Sequence, residues 1–566
     1  MKGRWLTVAM VLPAMLAVAC TGGGTNAEHA SRQLSSHQIL TFPITSDVKS
    51  LDPALVQSAN DITFVQNLYG GLYRFNDKLV EVPYAATSLP TISSNGLTYT
   101  FHLRHNVTFS NGDPVTAADV IYSWSRAARL NGSYGYVFRP VVGYSAVTPT
   151  SGQPTATTLS GLSAPDPYTV VATLTAPASY WLTELALWTA DIVDPAVIPN
   201  DTNTTWWTTP STAIGTGPFR LTSYVPKDYL TFAPVQNWWG GSTGSLTQVK
   251  ATVLPDQSSQ VTEYLNGGFD ELGPGANYPP LSAVEKFLAT KSLKSQYVNV
   301  PGGSSTWVGF NFTTGPFAPN PRSNVGDRVA KAGRLAFSLS INRTELVNVT
   351  CGHGGITCKP ATGGVIAKGL VGYLGDGNDP TAKFNPAQAR KDLKIWDPKG
   401  TKRKGLTYWT YASSATESEA QNLQAQWQQN LGVHVNIQAT DFPTFLTDLQ
   451  DKSKYMLFLD AWGADYDNPQ DWFDNNFICS QAAVGLGNDD GICDPRIDAA
   501  VKKAESSTGA KSVAQFKKAS RYLIDDVAMA NIEYGANQYF IKPYVKDGGG
   551  NALYDNSWTQ ISILKH

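Results

Sequence analysis

The 566-residue chain predicts an α/β architecture of two lobes with a cleft between them. Two observations carry this expectation. Residues 404–465 alternate strand, helix, strand, helix, strand with short loops, which argues a parallel, doubly wound sheet. A second sheet-forming stretch, 217–254, lies far upstream. The length agrees, since at about 100–200 residues per domain the chain needs three or four units, or two large lobes.

The first 20 residues set the compartment. Lys2 and Arg4 form a positive start, residues 6–19 are apolar, and Ala17-Val18-Ala19 is followed by Cys20. This reads as a secretory signal, too short for a comfortable membrane span. The small residues ending on Cys20 resemble a bacterial lipobox, in which the thiol is acylated and becomes the new N-terminus. Residues 21–36, opening Thr21-Gly-Gly-Gly-Thr-Asn26, read as a flexible tether. Acyl chains contribute about 0.8 kcal/mol per buried CH2, which would hold the protein on a membrane surface.

Along the mature chain, residues 39–44 read as a strand and 61–72 as a helix ending near Gly70-Gly71. Leu97, Tyr99, Phe101 and Leu103 alternate with polar residues, as in a half-buried strand. Asn111-Gly-Asp-Pro114 is a turn signal, and Thr116-Ala-Ala-Asp119 is a capping-box-like helix start. The helix that follows places Val120, Ile121, Trp124 and Ala128 on one face, and 145–165 reads as a surface excursion. Strands are expected at 218–224, 229–234 and 248–254, then a helix at 258–265.

In the 404–465 unit, strands are expected at 405–411, 433–437 and 455–461. Helices are expected at 417–431, with Gly432 as C-cap, and at 442–449. Ligands gather beyond the carboxyl ends of such strands. There the chain reads Trp462-Gly463-Ala464-Asp465-Tyr466, an aromatic, a glycine and a carboxylate at a strand end.

Composition excludes several classes. A formal net charge of -2 gives no basic field for nucleic acid. No phosphate loop occurs, so energy for any transport must come from partner subunits. Metal sites are thin, with no histidine pair at helical spacing, and no cofactor is expected. Of five cysteines, setting Cys20 aside leaves four, an even number in an oxidising compartment. Four cysteines allow three pairings. The local pairing, Cys351 with Cys358 and Cys479 with Cys493, is favoured over a zinc site, which would want C-x2-C spacing.

Five stretches, in order, resemble the peptide-binding family of bacterial extracytoplasmic solute-binding proteins, the dipeptide and oligopeptide group (family 5). They are Leu51-Asp-Pro53 with Asn67-Leu-Tyr-Gly-Gly-Leu-Tyr73; Leu97-Thr-Tyr-Thr-Phe-His-Leu-Arg104 running into Phe109-Ser-Asn-Gly-Asp-Pro-Val-Thr116; Gly215-Thr-Gly-Pro-Phe219 with Asn237-Trp-Trp-Gly240; Gly309-Phe-Asn-Phe-Thr313 with Leu335-Ala-Phe-Ser-Leu-Ser-Ile-Asn-Arg343; and Trp462-Gly-Ala-Asp-Tyr-Asp-Asn-Pro469. The resemblance implies a two-lobed periplasmic-binding-protein-like (class II) fold with an extra domain inserted in the first lobe. It places lobe I at 37–75, 196–300 and 535–566, the inserted domain at 76–195, and lobe III at 301–534. It implies a monomer without catalytic residues that closes on its ligand by a hinge and delivers it to ABC-transporter permease subunits.

The resemblance also nominates residues. Asp465 would hold the α-ammonium of a short peptide, a charge-assisted bond. Trp462 and Phe442 would line side-chain pockets, Phe64 and Ala461 would offer backbone groups, Gly463 lies within the motif, and Tyr136 is a further contact from the inserted domain. One departure is that Met456-Leu-Phe-Leu-Asp460 has no basic residue for the ligand's carboxylate; Asp460 adds an acid, and Lys452 and Lys454 precede the strand. The family also includes binders of sugars and metal chelates, so an oligosaccharide or chelate ligand, or a sensor role, is the alternative. A secreted hydrolase is the rival from another class. Gly240-Gly-Ser-Thr-Gly244 matches G-x-S-x-G, but a nucleophile elbow needs a strand before it and a helix after it, and only His353, His434 and His566 follow.

Overall fold

A computed structural model describes residues 33–198, 200, 204–320, 325–482 and 487–566. The signal segment, Cys20 and most of the tether lie outside the described residues. The last tether residues are tied down: Ser35 N–H donates to the Ile563 carbonyl at 2.8 Å, and Lys565 N–H donates to that of Gln33 at 2.8 Å.

Strand β1 (Ile39–Ile44) occupies the expected residues and buries Leu40, Phe42 and Ile44. Helix α1 (Ala59–Leu68) starts where the Ser58 side chain accepts from Asp61 N–H at 3.3 Å. It stops short of the expected end because Tyr69 is already extended. In the following region β2 (Thr98–His102) buries Tyr99 and Phe101. Helix α2 (Ala117–Leu130) opens on the expected capping box, with Thr116 N–H donating to Asp119 at 2.7 Å. β3 (Thr169–Thr173) pairs antiparallel with β2. The 145–165 stretch is not wholly a surface excursion, since Val147, Leu159 and Leu162 are buried in the same core. The strands β4 (Phe219–Val225), β5 (Tyr229–Pro234) and β6 (Gln248–Val253) join β1 in a four-stranded sheet, in the order β1-β6-β5-β4, with β1 and β6 parallel.

One hydrophobic cluster runs through this sheet and the β2–β3 sheet. A buried ion pair ties them together. The Arg126 guanidinium, on α2, grips Asp52 with two bonds of 2.9 and 2.6 Å, and the Trp206 indole N–H donates to the same carboxylate at 2.9 Å. The Leu51-Asp52-Pro53 stretch is therefore structural.

The second half is built on β7 (Tyr297–Phe310), β8 (Thr407–Tyr411), α3 (Ser414–Leu431), β9 (Asn436–Thr440), α4 (Phe442–Leu449), β10 (Leu457–Gly463) and β11 (Met529–Ile541). As expected, β8 is parallel to both β9 and β10. The sheet as a whole is not all parallel. It has seven strands in the order 271–272, β11, β7, β10, β8, β9, with 358–360 also on β11, and β7 is antiparallel to both β10 and β11. The expected βαβαβ unit is thus the end of a mixed sheet whose middle strands come from distant segments. β9 also begins later than expected. Gly432 takes the left-handed conformation (φ +68°) that caps α3, and Val433 and Val435 are buried before the ladder starts. Cys351–Cys358 and Cys479–Cys493 are disulfides, the local pairing.

Candidate functional site

A cleft of about 1040 Å³ lies against the sheet of the second half, lined also by Tyr278, Ala552 and Leu553. Its wall is the carboxyl end of β10, the start of α3, one face of α4 and the middle of β7 and β11. Local chemistry sets these elements. α4 is capped by Asp441, which accepts from Thr444 N–H at 3.1 Å, and it presents Phe442, 51% exposed, and Leu446 to the cleft. Ring contact with Tyr411 at 5.0 Å holds Phe442 in place.

The end of β10 has an open edge. Its ladder with β7 runs from Phe310↔Leu457 to Ser304↔Gly463, but its ladder with β8 covers only Tyr408↔Leu457 and Trp409↔Phe458. From Leu459 onward, one side of the strand carries no ladder partner among the described residues. Ala461, Trp462 and Gly463 all line the cleft there, and a Cβ added at Gly463 would meet nothing within 4 Å.

Trp462 also lines an adjoining chamber of about 560 Å³, with Tyr136 and Asp465. A further cavity of about 210 Å³ shares Asp465, Tyr278 and Asn537 with these spaces. Asp465 is half-buried at this junction. Tyr134 hydroxyl donates to its Oδ1 at 2.8 Å, its own N–H donates to Asp471 at 2.9 Å, and Tyr554 hydroxyl donates to its carbonyl. Burial pushes its carboxyl up to about 6, against the pull of the Tyr134 hydrogen bond. The next residue, Tyr466, inserts into the core of the first half, where its hydroxyl donates to Glu184 at 3.2 Å. Ser179 N–H adds a bond to the Glu505 carbonyl at 2.9 Å. The two halves therefore meet directly at the Asp465 motif.

Six of the nominated residues, Asp465, Trp462, Ala461, Gly463, Phe442 and Tyr136, line these connected spaces. Phe64 does not. It is 0% exposed in the middle of α1, stacked 5.3 Å from Phe232, and the helix engages its backbone. Its neighbours Ile62 and Thr63 reach the small cavity instead, because a helix turns successive residues to different faces. Lys452 and Lys454 do not serve the cleft either. Lys452 Nζ donates to the Asn488 carbonyl, and Lys454 pairs with Asp448 at 2.6 Å. Sequence reasoning missed Tyr134 and Tyr554, whose proximity to Asp465 is purely tertiary. Glu419, Asp489 and Glu533 on the cleft wall were missed for the same reason.

The G-x-S-x-G match has no elbow. Residues 241–247 are bends and coil leading into β6, without a helix, and Ser242 Oγ accepts from Gly244 N–H at 3.1 Å.

A family model described as bacterial extracellular solute-binding proteins, family 5, matches residues 81–483. The periplasmic murein peptide-binding protein MppA of Escherichia coli (strain K12) is 26% identical over 537 residues, covering 94% of each chain. The oligopeptide-binding protein OppA of Bacillus subtilis (strain 168) is 23% identical over 569 residues, covering 99% of this chain and 100% of that one. Among solved structures, MppA in its unliganded open form superposes with a TM-score of 0.76 at 23% identity, covering 95% of this chain and 99% of that one. The fold is accordingly the two-lobed, class II binding-protein type with an extra domain inserted in the first lobe.

Proposed function

The chain belongs to the bacterial extracellular solute-binding proteins, family 5, and from this premise we propose that it captures short peptides in the cleft and hands them to an ABC importer. The observation that carries the reading is the bare edge of β10 from Leu459 to Gly463, ending beside Asp465. An extended peptide can add to such an edge by main-chain hydrogen bonds while its side chains fill flanking pockets. Asp465 would take the α-ammonium, with Trp462, Phe442 and Tyr136 around the first side chains. The curated relatives MppA and OppA are named for peptide binding, which favours this ligand class over a sugar or chelate.

Closure is part of the proposal. We assign 37–75, 196–300 and 535–566 to lobe I, 76–195 to the inserted domain and 301–534 to lobe III. β7 and β11 run on from the 271–272 end of the sheet into the core of lobe III, and their register shifts between Pro301 and Ser305. An irregular ladder is a sensible place for a hinge, and contacts such as Tyr466–Glu184 would form on closing. A monomer that works with permease subunits is proposed, as is anchoring through Cys20.

Two measurements test this. A thermal melt with peptides of two to six residues should show a clear upward shift, about 2.7 kcal/mol of stabilisation at 100 times the dissociation constant. The shift should vanish for N-acetylated peptides; no shift with any peptide would reject the ligand class. Separately, Cys20→Ala should move the protein from the membrane to the soluble fraction, and unchanged membrane recovery would reject the anchor.

A further inference from the structure

We propose that the cleft selects peptides carrying a lysine or arginine side chain, whose cationic head sits among Glu419, Asp460, Asp489 and Glu533. The inference rests on the peptide reading above and specifies its substrate class.

All four acids line the 1040 Å³ cleft, and among the described lining residues there is no lysine or arginine. The acids come from separate elements: Glu419 from α3, Asp460 from β10, Asp489 from the loop before 495–505, and Glu533 from β11. Glu419 is only 6% exposed. Its Oε1 accepts a hydrogen bond from Tyr408 hydroxyl at 3.3 Å, and its other oxygen has no hydrogen-bond partner among the described residues. Asp489 Oδ1 is likewise buried without a partner. Asp460 accepts from the N–H of its neighbour Ala461 at 2.8 Å, and the Trp307 indole faces it as a second donor. Glu533 rests against the Cys351–Cys358 disulfide and accepts from Thr350 hydroxyl at 3.4 Å.

Carboxylates left this way are costly in a cleft that closes. Proton uptake lowers that cost. Burial first, then the charge of Glu533, pushes Glu419 up to about 8, and burial lifts Glu533 to about 7. A guanidinium or ammonium supplies the missing donors and charge together. Lys452 offsets part of the charge of Asp489, but it does not line the cleft and its ammonium donates to the Asn488 carbonyl, so Glu419 and Glu533 have no cation beside them among the described residues. The apolar stem of a lysine or arginine would lie along the exposed faces of Phe442 and Leu446 at the rim. In their ionised form the same acids repel anions, so acidic side chains and the peptide's own carboxylate should be kept out of this part of the cleft.

The test is calorimetry of the mature protein with tetra-alanine peptides in which one lysine is walked through every position. Each is paired with the same peptide bearing Nε-acetyl-lysine. At one or more positions the lysine peptide should bind at least about tenfold tighter, and the advantage should shrink as salt is raised. Glu419→Gln and Asp460→Asn, both near-isosteric, should each reduce that advantage, read as the ratio of the lysine to the acetyl-lysine affinity within the same variant. Should one variant unfold, the other and the wild-type pairs still decide. Equal affinities within every pair would overturn the charge preference and leave peptide capture standing. Failure of every peptide to bind would overturn both.

Discussion

Replacing Asp465 with alanine is expected to weaken binding of peptides with a free amino terminus by about 2–5 kcal/mol, the cost of truncating a buried charge pair. The expectation comes from how the carboxylate is held. Tyr134 hydroxyl bonds one oxygen, the backbone on either side is fixed by Asp471 and Tyr554, and no lysine or arginine neutralises it in the hydrogen-bond and ion-pair network described. In the proposed reading a ligand ammonium would be its partner. N-acetylated peptides should bind wild type and variant alike. If the variant retains full affinity for free-amino peptides, the ammonium is held elsewhere.

A pH dependence follows with a definite sign. The Asp465 carboxyl is raised from 3.8 to about 6, chiefly by burial. Relative to the unfolded chain it therefore favours folding below its usual value, and that contribution is lost as pH rises through about 6. Binding an ammonium reverses the preference, since only the carboxylate pairs with it. Affinity should be level above this pH and fall by up to about tenfold per unit below it. Calorimetry from pH 5 to 8 reads this out, and a flat profile in wild type would reject the role.

Removing the Arg126 guanidinium is expected to cost about 3–5 kcal/mol of stability, because it leaves the Asp52 carboxylate buried without its cation. Both side chains are essentially inaccessible, and the pair is bidentate. Arg126→Met should shift the urea midpoint of unfolding, followed by tryptophan fluorescence, strongly downward. The double variant Arg126→Met with Asp52→Asn should recover part of the loss, since no buried charge then stands alone. A loss below about 1 kcal/mol in the single variant would show that the ion pair does not tie α2 to the Asp52 segment. Peptide affinity of the folded single variant should be unchanged, since neither residue lines the cleft or the Asp465 spaces.

Much of the architecture was legible in order along the chain. The alternation of Leu40, Phe42 and Ile44, the Thr116 box and Gly432 after Leu431 each report on hydrogen bonds and burial within a few residues. The elements they predict appear close to the expected positions. The same holds for Phe442–Leu449 and for the disulfide partners, which are near neighbours. The motif 462–466 was legible as the end of a strand, and β10 does stop at Gly463.

Only the tertiary structure decided the rest. Pairing of β7 with β10 and β11 joins segments far apart in the chain, and no local pattern in 297–310 records which strands will flank it. For the same reason an expected parallel sheet became a mixed one. Phe64 sits in the core because the helix phase turns it inward, a matter of which face α1 buries rather than of its composition. The acidic character of the cleft is hidden in a chain of net charge -2. It arises only when folding brings Glu419, Asp460, Asp489 and Glu533 onto one wall. Local hydrogen bonds and periodic burial write themselves into sequence, whereas the juxtaposition of distant side chains is set by packing free energy summed over the whole fold.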